Sequence, residues 1–223
     1  MIKAIIFDVY GTLISTGTGS VDAAAEILRR KNSIICPKEF YTRWKKIHKA
    51  LTLETTAKGF VTEEEIFRRG LRQLYTEYGL TGDSDREVEP MLCSLVGRKA
   101  FPDVKAGLDN LRKRYKILIA SNTDTAPLLE NLRANSIEAD GIWTSESLRL
   151  YKPDPRFYEV LLNEAALSPE EAVFVGDSPE EDIIGPQRTG MKTVFLNRKG
   201  IRCPEEMIPD RMLSELPPAG DLF

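Results

Sequence analysis

The chain opens on an apolar run, Ala4-Ile5-Ile6-Phe7, inside a strand expected over residues 2–8. The small-residue stretch Ser15-Thr16-Gly17-Thr18-Gly19-Ser20 that follows reads as a linker. From about residue 21 to residue 96 the pattern is helical throughout. Residues 21–31 are rich in alanine, and Pro37 sits where a helix can begin. Phe40, Trp44, Ile47 and Leu51 recur at spacings of four, three and four, which puts them on one helical face. Thr62-Glu63-Glu64-Glu65 predicts an N-cap with a capping-box glutamate at Glu65, opening a helix through Ile66, Phe67, Leu71, Leu74 and Tyr78 to Gly79. A further segment spans 85–96. Four helices without an intervening strand predict a small bundle.

Beyond Phe101-Pro102-Asp103 the pattern changes. Short β-rich runs at 116–120, 141–144, 172–175 and 193–196 alternate with helical patterns at 104–114, 126–135, 155–166 and 180–189. Such alternation predicts a parallel sheet with helices on both faces. The first strand needs that sheet as well, because its apolar run is too short to stand alone. The expected fold class is therefore α/β: a Rossmann-like core over residues 1–15 and 97–223, with a four-helix-bundle insertion over 16–96.

Composition narrows the chemistry. The chain has 223 residues and a net charge of −3, so it has no basic surplus for nucleic acid or an anionic membrane. It has no apolar run of membrane-spanning length, and the N-terminus enters a strand at once without a secretory leader pattern. Cys36, Cys93 and Cys203 form no CxxC pair and read as free thiols, which suits a cytoplasmic protein. His48 is the only histidine, in a lysine-rich helical stretch, and reads as a surface residue. Chemistry has to come from carboxylates, hydroxyls and lysines, with or without a hard cation.

In an open parallel sheet, ligands bind beyond the carboxyl ends of the strands. The residues expected at those ends are Asp8, Ser121-Asn122-Thr123, Thr144-Ser145 and Gly176-Asp177-Ser178, with Lys152 in the loop before the next helix. Capable groups from separate parts of the chain thus converge on one edge. An aspartate attacking phosphorus or carbon forms a covalent ester and splits hydrolysis into two easier steps. A phosphoryl substrate needs cationic help against the anionic nucleophile, from a lysine and usually Mg²⁺.

The set Asp8-Val9-Tyr10-Gly11-Thr12, Ser121-Asn122, Lys152-Pro153-Asp154 and Gly176-Asp177-Ser178 followed by Asp182 resembles the haloacid dehalogenase superfamily. The helical insertion is similar to the cap found after the first strand in one branch of it. The resemblance implies a hydrolase of small molecules with Asp8 as nucleophile, and Lys152 neutralising it and the intermediate. It implies that Thr12, Ser121 and Asn122 hold the loop and the transferring group, and that Asp182 orients a water. Mg²⁺ would be held by Asp8, Asp177 and the Tyr10 carbonyl.

Two motifs disagree on the bond that is cleaved. Phosphatases of the superfamily carry aspartate where this chain has Tyr10, and that acid protonates the leaving alcohol. Asp-x-Tyr-Gly-Thr is instead the pattern of 2-haloacid dehalogenases, whose halide leaves without a proton. Gly-Asp-Ser-Pro-Glu-Glu-Asp, however, resembles the phosphatase form and keeps the metal carboxylate. Arg43, on the shoulder of the Phe40/Trp44/Ile47 face, is a candidate substrate-binding arginine of the dehalogenase kind. Three readings follow: a Mg²⁺-dependent phosphatase of small metabolites with Tyr10 in an unusual place, a metal-independent 2-haloacid dehalogenase, and a catalytically weakened binding or regulatory protein.

Overall fold

The run Ala4-Ile5-Ile6-Phe7 is fully buried, and a strand without a polar face must be covered on both sides. In the computed structural model it is: β1 (Ala4–Phe7) pairs in parallel with β2 (Lys116–Ser121) on one side and β4 (Ala172–Gly176) on the other. The structure describes residues 1–205, 207–220 and 222, the side chains of 56–58 apart. With β3 (Gly141–Thr144), β5 (Lys192–Leu196) and β6 (Arg211–Leu213), the sheet has the order β3-β2-β1-β4-β5-β6, all parallel. The order reverses between β1 and β4, which is where such a sheet opens a crevice.

The expected strands lie within two residues of the observed ones, except for β6. That strand is three residues long, and Arg211 and Met212 are exposed at the sheet edge, so no alternation of apolar positions announces it. Helices α6 (Val104–Leu111) and α7 (Thr125–Ala134) cover one face of the sheet, packing Leu108, Leu128 and Leu132 against Ile5, Phe7 and Val175. On the other face, a later helix (Pro155–Glu164) packs Phe157 and Leu161 against Ile6 and Phe174. The helix expected over 180–189 is instead a π-helical turn, Pro179–Ile184, followed by the short helix Gly185–Gln187. Pro186 has no amide to continue a regular helical ladder there.

Between β1 and α6 the chain is helical: α1 (Gly19–Arg30), α2 (Pro37–Lys58), α3 (Glu63–Tyr78), α4 (Ser84–Glu87) and α5 (Glu89–Cys93). The fourth expected helix is thus broken in two, with Pro90 in the first turn of α5. These helices have an apolar cluster of their own, with Ile27, Phe40, Trp44, Phe67, Leu71 and Met91 at its centre. Thr62 does cap α3, accepting from the Glu65 amide at 3.3 Å. The expected box is not closed, because the Glu65 carboxylate turns to Arg69 at 2.7 Å.

The two chain crossings between sheet and insertion run side by side. Ile14 bridges Ala100, and the Ser15 amide donates to the Lys99 carbonyl at 2.9 Å. A second attachment lies at the start of α3, whose Glu63 and Glu64 amides donate to the Asp124 carboxylate at 2.8 and 2.9 Å. Next to it the Tyr151 hydroxyl donates to the Val61 carbonyl at 3.0 Å. Among the described residues no helix is long and apolar enough to cross a membrane.

Candidate active site

Asp8 leaves the buried end of β1 at the crevice, and its amide donates to the Val175 carbonyl of β4 at 2.9 Å. The turn after it depends on Gly11, which has φ +103° and no room for a side chain: a Cβ there would meet the Asp177 carboxylate at 2.3 Å. Gly176 is needed for the same kind of reason, since its Cβ would lie 2.3 Å from the Asp182 carboxyl carbon. The two glycines of the Asp-x-Tyr-Gly-Thr and Gly-Asp-Ser motifs therefore let three carboxylates approach one another. Asp8, Asp177 and Asp182 each offer an oxygen within 4.8 Å of the others.

Lys152 sits among them, fully buried, donating to Asp8 Oδ1 at 3.0 Å, Asp182 Oδ1 at 2.7 Å and the Ala120 carbonyl at 3.2 Å. Burial alone would lower its pKa, but the Asp182 and Asp8 charges outweigh it and hold the ammonium protonated well above its ordinary range. Burial pushes the Asp182 carboxyl up, against the pull of Lys152. Ser121 donates to Asp8 Oδ1 at 3.2 Å and Thr12 to Asp8 Oδ2 at 3.1 Å. Asp177 is pushed upward by burial and by the charge of Asp8, and Lys199 reaches its Oδ2 at 2.9 Å from the solvent side. Two ammonium groups, the buried Lys152 and the exposed Lys199, thus face three carboxylates, an excess of negative charge that a bound cation would remove.

Two of the residues expected in the site do their work one step back from it. Both oxygens of Asp182 are taken, one by Lys152 and the other by the Ser178 amide at 2.9 Å, so it positions the lysine and its own loop. Asn122 spends its side chain on the Lys152 peptide, accepting from its amide at 2.8 Å and donating to its carbonyl at 2.9 Å. It also donates to Glu181 at 3.1 Å, a carboxyl that burial pushes upward.

The Tyr10 phenol points toward α7, where it accepts from Asn131 at 2.9 Å, and the Arg98 guanidinium lies 5.0 Å from its ring centre. Burial raises its pKa above the usual phenol value, more than its hydrogen bonds to Asn131 and Thr123 lower it. The group stays neutral and is not a base near neutral pH.

Above these residues a cavity of about 480 Å³ separates sheet and insertion. On the sheet side it is lined by Tyr10, Lys152, Ser178 and Arg98, and on the α2 side by Tyr41, Lys45, His48 and Thr52. Arg43 is not among the lining residues. It projects away from the cavity and makes a two-pronged pair with Glu77 of α3 at 2.8 and 2.6 Å. Arg43, expected to bind substrate, thus lies off the cavity: Phe40 and Ile47 pack inward, Trp44 touches the cavity from the apolar cluster, and the polar stripe facing it is Tyr41, Lys45, His48 and Thr52.

His48 is likewise not a free surface residue. It lines the cavity, packs against Phe67 with ring centres 4.7 Å apart and planes tilted by 46°, and faces Glu63 at 3.6 Å. No local motif distinguishes it. The one signal in the sequence was its spacing of four from Trp44, which sets it on the edge of the buried stripe. Glu63, Arg98 and Lys199 were also missed, because each reaches the site from an element whose docking the sequence does not encode locally.

The sequence model described as haloacid dehalogenase-like hydrolase matches residues 2–190. The chain is similar to (S)-2-haloacid dehalogenase 1 of Pseudomonas sp. (strain CBS-3), with 29% identity over 226 residues, covering 97% of this chain and 95% of that protein. It is equally similar to N-acylneuraminate-9-phosphatase of Homo sapiens, with 29% identity over 217 residues, covering 90% and 84%. L-2-haloacid dehalogenase from Xanthobacter autotrophicus shares the fold, with a TM-score of 0.80 at 19% identity over 97% of this chain and 96% of that one.

Proposed function

This chain belongs to the haloacid dehalogenase-like hydrolases, and we propose that within that family it is a Mg²⁺-assisted phosphatase of small metabolites working through an Asp8 ester. The observation that carries this reading is Asp177, a carboxylate held beside Asp8 in a cluster of three acids against two ammonium groups, the buried Lys152 and the exposed Lys199. The resemblance implies that 2-haloacid dehalogenases carry serine and asparagine in the stretch where this chain reads Gly176-Asp177-Ser178, and that they work without Mg²⁺. Of the curated relatives, N-acylneuraminate-9-phosphatase supports the phosphate reading.

In this reading the helical insertion over residues 16–96 is a cap that closes the cavity. Asp8, Asp177 and the Tyr10 carbonyl would hold the ion, which supplies positive charge against the phosphoryl group. Asp8 attacks phosphorus, held in place by Thr12 and Ser121 at its two oxygens. Lys152 neutralises the carboxylate before attack and the phosphoryl oxygens after it, and Asp182 and Asn122 keep the lysine from turning away. The binding-protein reading has nothing in its favour here, because the nucleophile's whole hydrogen-bonding shell is intact and the relatives are hydrolases.

A metal-independent 2-haloacid dehalogenase is the second reading, favoured by Tyr10 and by the haloacid dehalogenase relative. A paired screen of phosphate and halide release, with and without Mg²⁺, separates the two. Phosphate release that needs Mg²⁺ and falls roughly 10²-fold or more in Asp177→Asn is the expected result. Halide release that persists in chelator and in Asp177→Asn overturns the reading.

A further inference from the structure

A phosphatase in which Tyr10 replaces the usual acid still has to protonate a departing alkoxide. The core offers no group for this. Asp182 has both oxygens engaged, Glu181 is buried and bound to Asn122, and the Tyr10 hydroxyl takes the Asn131 amide. Across the cavity stand His48 and Glu63. We propose that His48 of α2, paired with Glu63 at the start of α3, is the proton donor and acceptor of this site. The proposal rests on the phosphatase reading and supplies what that reading lacks.

Three observations support it. His48 Nε2 is buried and faces Glu63 Oε1 at 3.6 Å without a hydrogen bond to the rest of the fold, so Glu63 can orient the ring and Nδ1 is the nitrogen left for the cavity. The ring is held by Phe67 rather than by polar contacts, with about a quarter of the side chain exposed on the cavity side. Glu63 is fixed from the core: its other oxygen accepts from Thr123 at 2.9 Å, and its amide donates to Asp124. The carboxylate is thus set by the sheet and the imidazole by the insertion, and they meet where Tyr10 also lies. Other charged groups lining the same cavity are Glu180 and Glu181 of the π-helical turn, Lys45 and Lys49 of its own helix, and Arg98, Lys152 and Lys199 from the sheet side.

In the first step an Asp8 oxygen forms its bond to phosphorus as the bond from phosphorus to the leaving oxygen breaks. That oxygen keeps the electron pair and takes a proton from the His48 imidazolium. In the second step a water oxygen attacks phosphorus and gives a proton to the neutral imidazole. The Asp8–phosphorus bond breaks, and the carboxylate and imidazolium are both restored. An imidazole suits both roles, because one ring nitrogen can give up a proton and take one back.

The test is a leaving-group series, from alkyl phosphates to aryl phosphates with acidic phenols, run on the wild type, His48→Gln and Glu63→Gln. His48→Gln should lower kcat/KM for alkyl phosphates by roughly 10²-fold or more and leave kcat/KM for the most acidic aryl phosphate close to wild type, because this ratio reports the step in which the leaving group departs. The alkaline limb of the pH–rate profile should disappear with it, and Glu63→Gln should give a smaller loss in the same substrate order. Adding Tyr10→Asp to His48→Gln should restore alkyl phosphate turnover. Equal losses across the series, or no loss, overturn the proposal while the phosphatase reading stands. A wild type that releases no phosphate from any member overturns both.

Discussion

The two walls of the cavity are built on different terms. On the sheet side nearly every polar atom is committed. Lys152 has three partners, Asp182 two and Asn122 three, and Thr12 is fully buried against Asp8. On the α2 side Lys45 stands in solvent and His48 keeps a nitrogen without a partner. The committed wall fixes a reacting carboxylate within tenths of an ångström, as bond-making needs. The uncommitted wall can take up substrates of different shape and supply a mobile proton.

The sharpest way to break this contrast is Lys152→Met. It leaves Asp8 and Asp182 buried without their shared cation, a loss expected to cost about 3–5 kcal/mol at neutral pH and to abolish turnover on every substrate. The Asp182 carboxyl, already pushed up by burial, then loses the lysine that opposes it and gains from protonation, so the deficit should shrink as the pH falls. Urea denaturation across pH measures it. A variant as stable as wild type would mean that the committed wall is not held by its charge network.

The next largest effect lies just behind that wall. Arg198 clamps Asp103 at 3.0 and 2.9 Å and donates to the Thr12 carbonyl at 2.8 Å, tying the Asp8 turn to α6. Burial pushes the Asp103 carboxyl up, but Arg198 and the Leu216 amide hold it below the ordinary range. A depressed carboxyl contributes stability that is present above its unfolded value of about 3.9 and is lost as pH falls through the lowered native one. Asp103→Asn should cost about 1.5–3 kcal/mol at pH 7. The difference from wild type should vanish in acid below that window, again read by urea denaturation.

The same contrast explains what could be read from the chain. Asp8, Ser121, Lys152 and Asp177 are legible because strand ends in a parallel sheet converge whatever the details, and because Gly11 and Gly176 mark where backbone and carboxylates crowd. Strand β6 was not, since a three-residue exposed edge carries no periodic signal. That Lys45 rather than Arg43 faces the cavity is not legible in the chain, because a helix with several polar stripes does not say which one faces its partner. That choice is made by the docking of α3 on Asp124, between residues about sixty positions apart.

Asp124 also tests whether that docking matters to chemistry. Asp124→Ala and Thr62→Ala each remove a side-chain acceptor from the start of α3, and each should cost about 0.5–2 kcal/mol. Thr62 acts within the helix, whereas Asp124 ties it to the sheet. Only Asp124→Ala should lower kcat for alkyl phosphates, because it releases Glu63 and with it His48. Equal kinetic losses in the two variants would place the effect in α3 itself rather than in its attachment.

The smallest effect concerns two residues of α2. Arg43 and Lys45 are two positions apart, about 200° around the helix, so they cannot share a face. Arg43 is paired with Glu77 on the outer surface, and Lys45 is an exposed cation at the cavity mouth. Arg43→Gln should leave kcat and KM unchanged. Lys45→Gln should raise KM for an anionic substrate by roughly up to fivefold, as an exposed charge contact would. The difference should fade as salt is raised, since the Debye length shortens to about 3 Å at 1 M. If Arg43→Gln raises KM instead, the stripe facing the substrate is not the one that carries His48, and the uncommitted wall has been drawn on the wrong side of the helix.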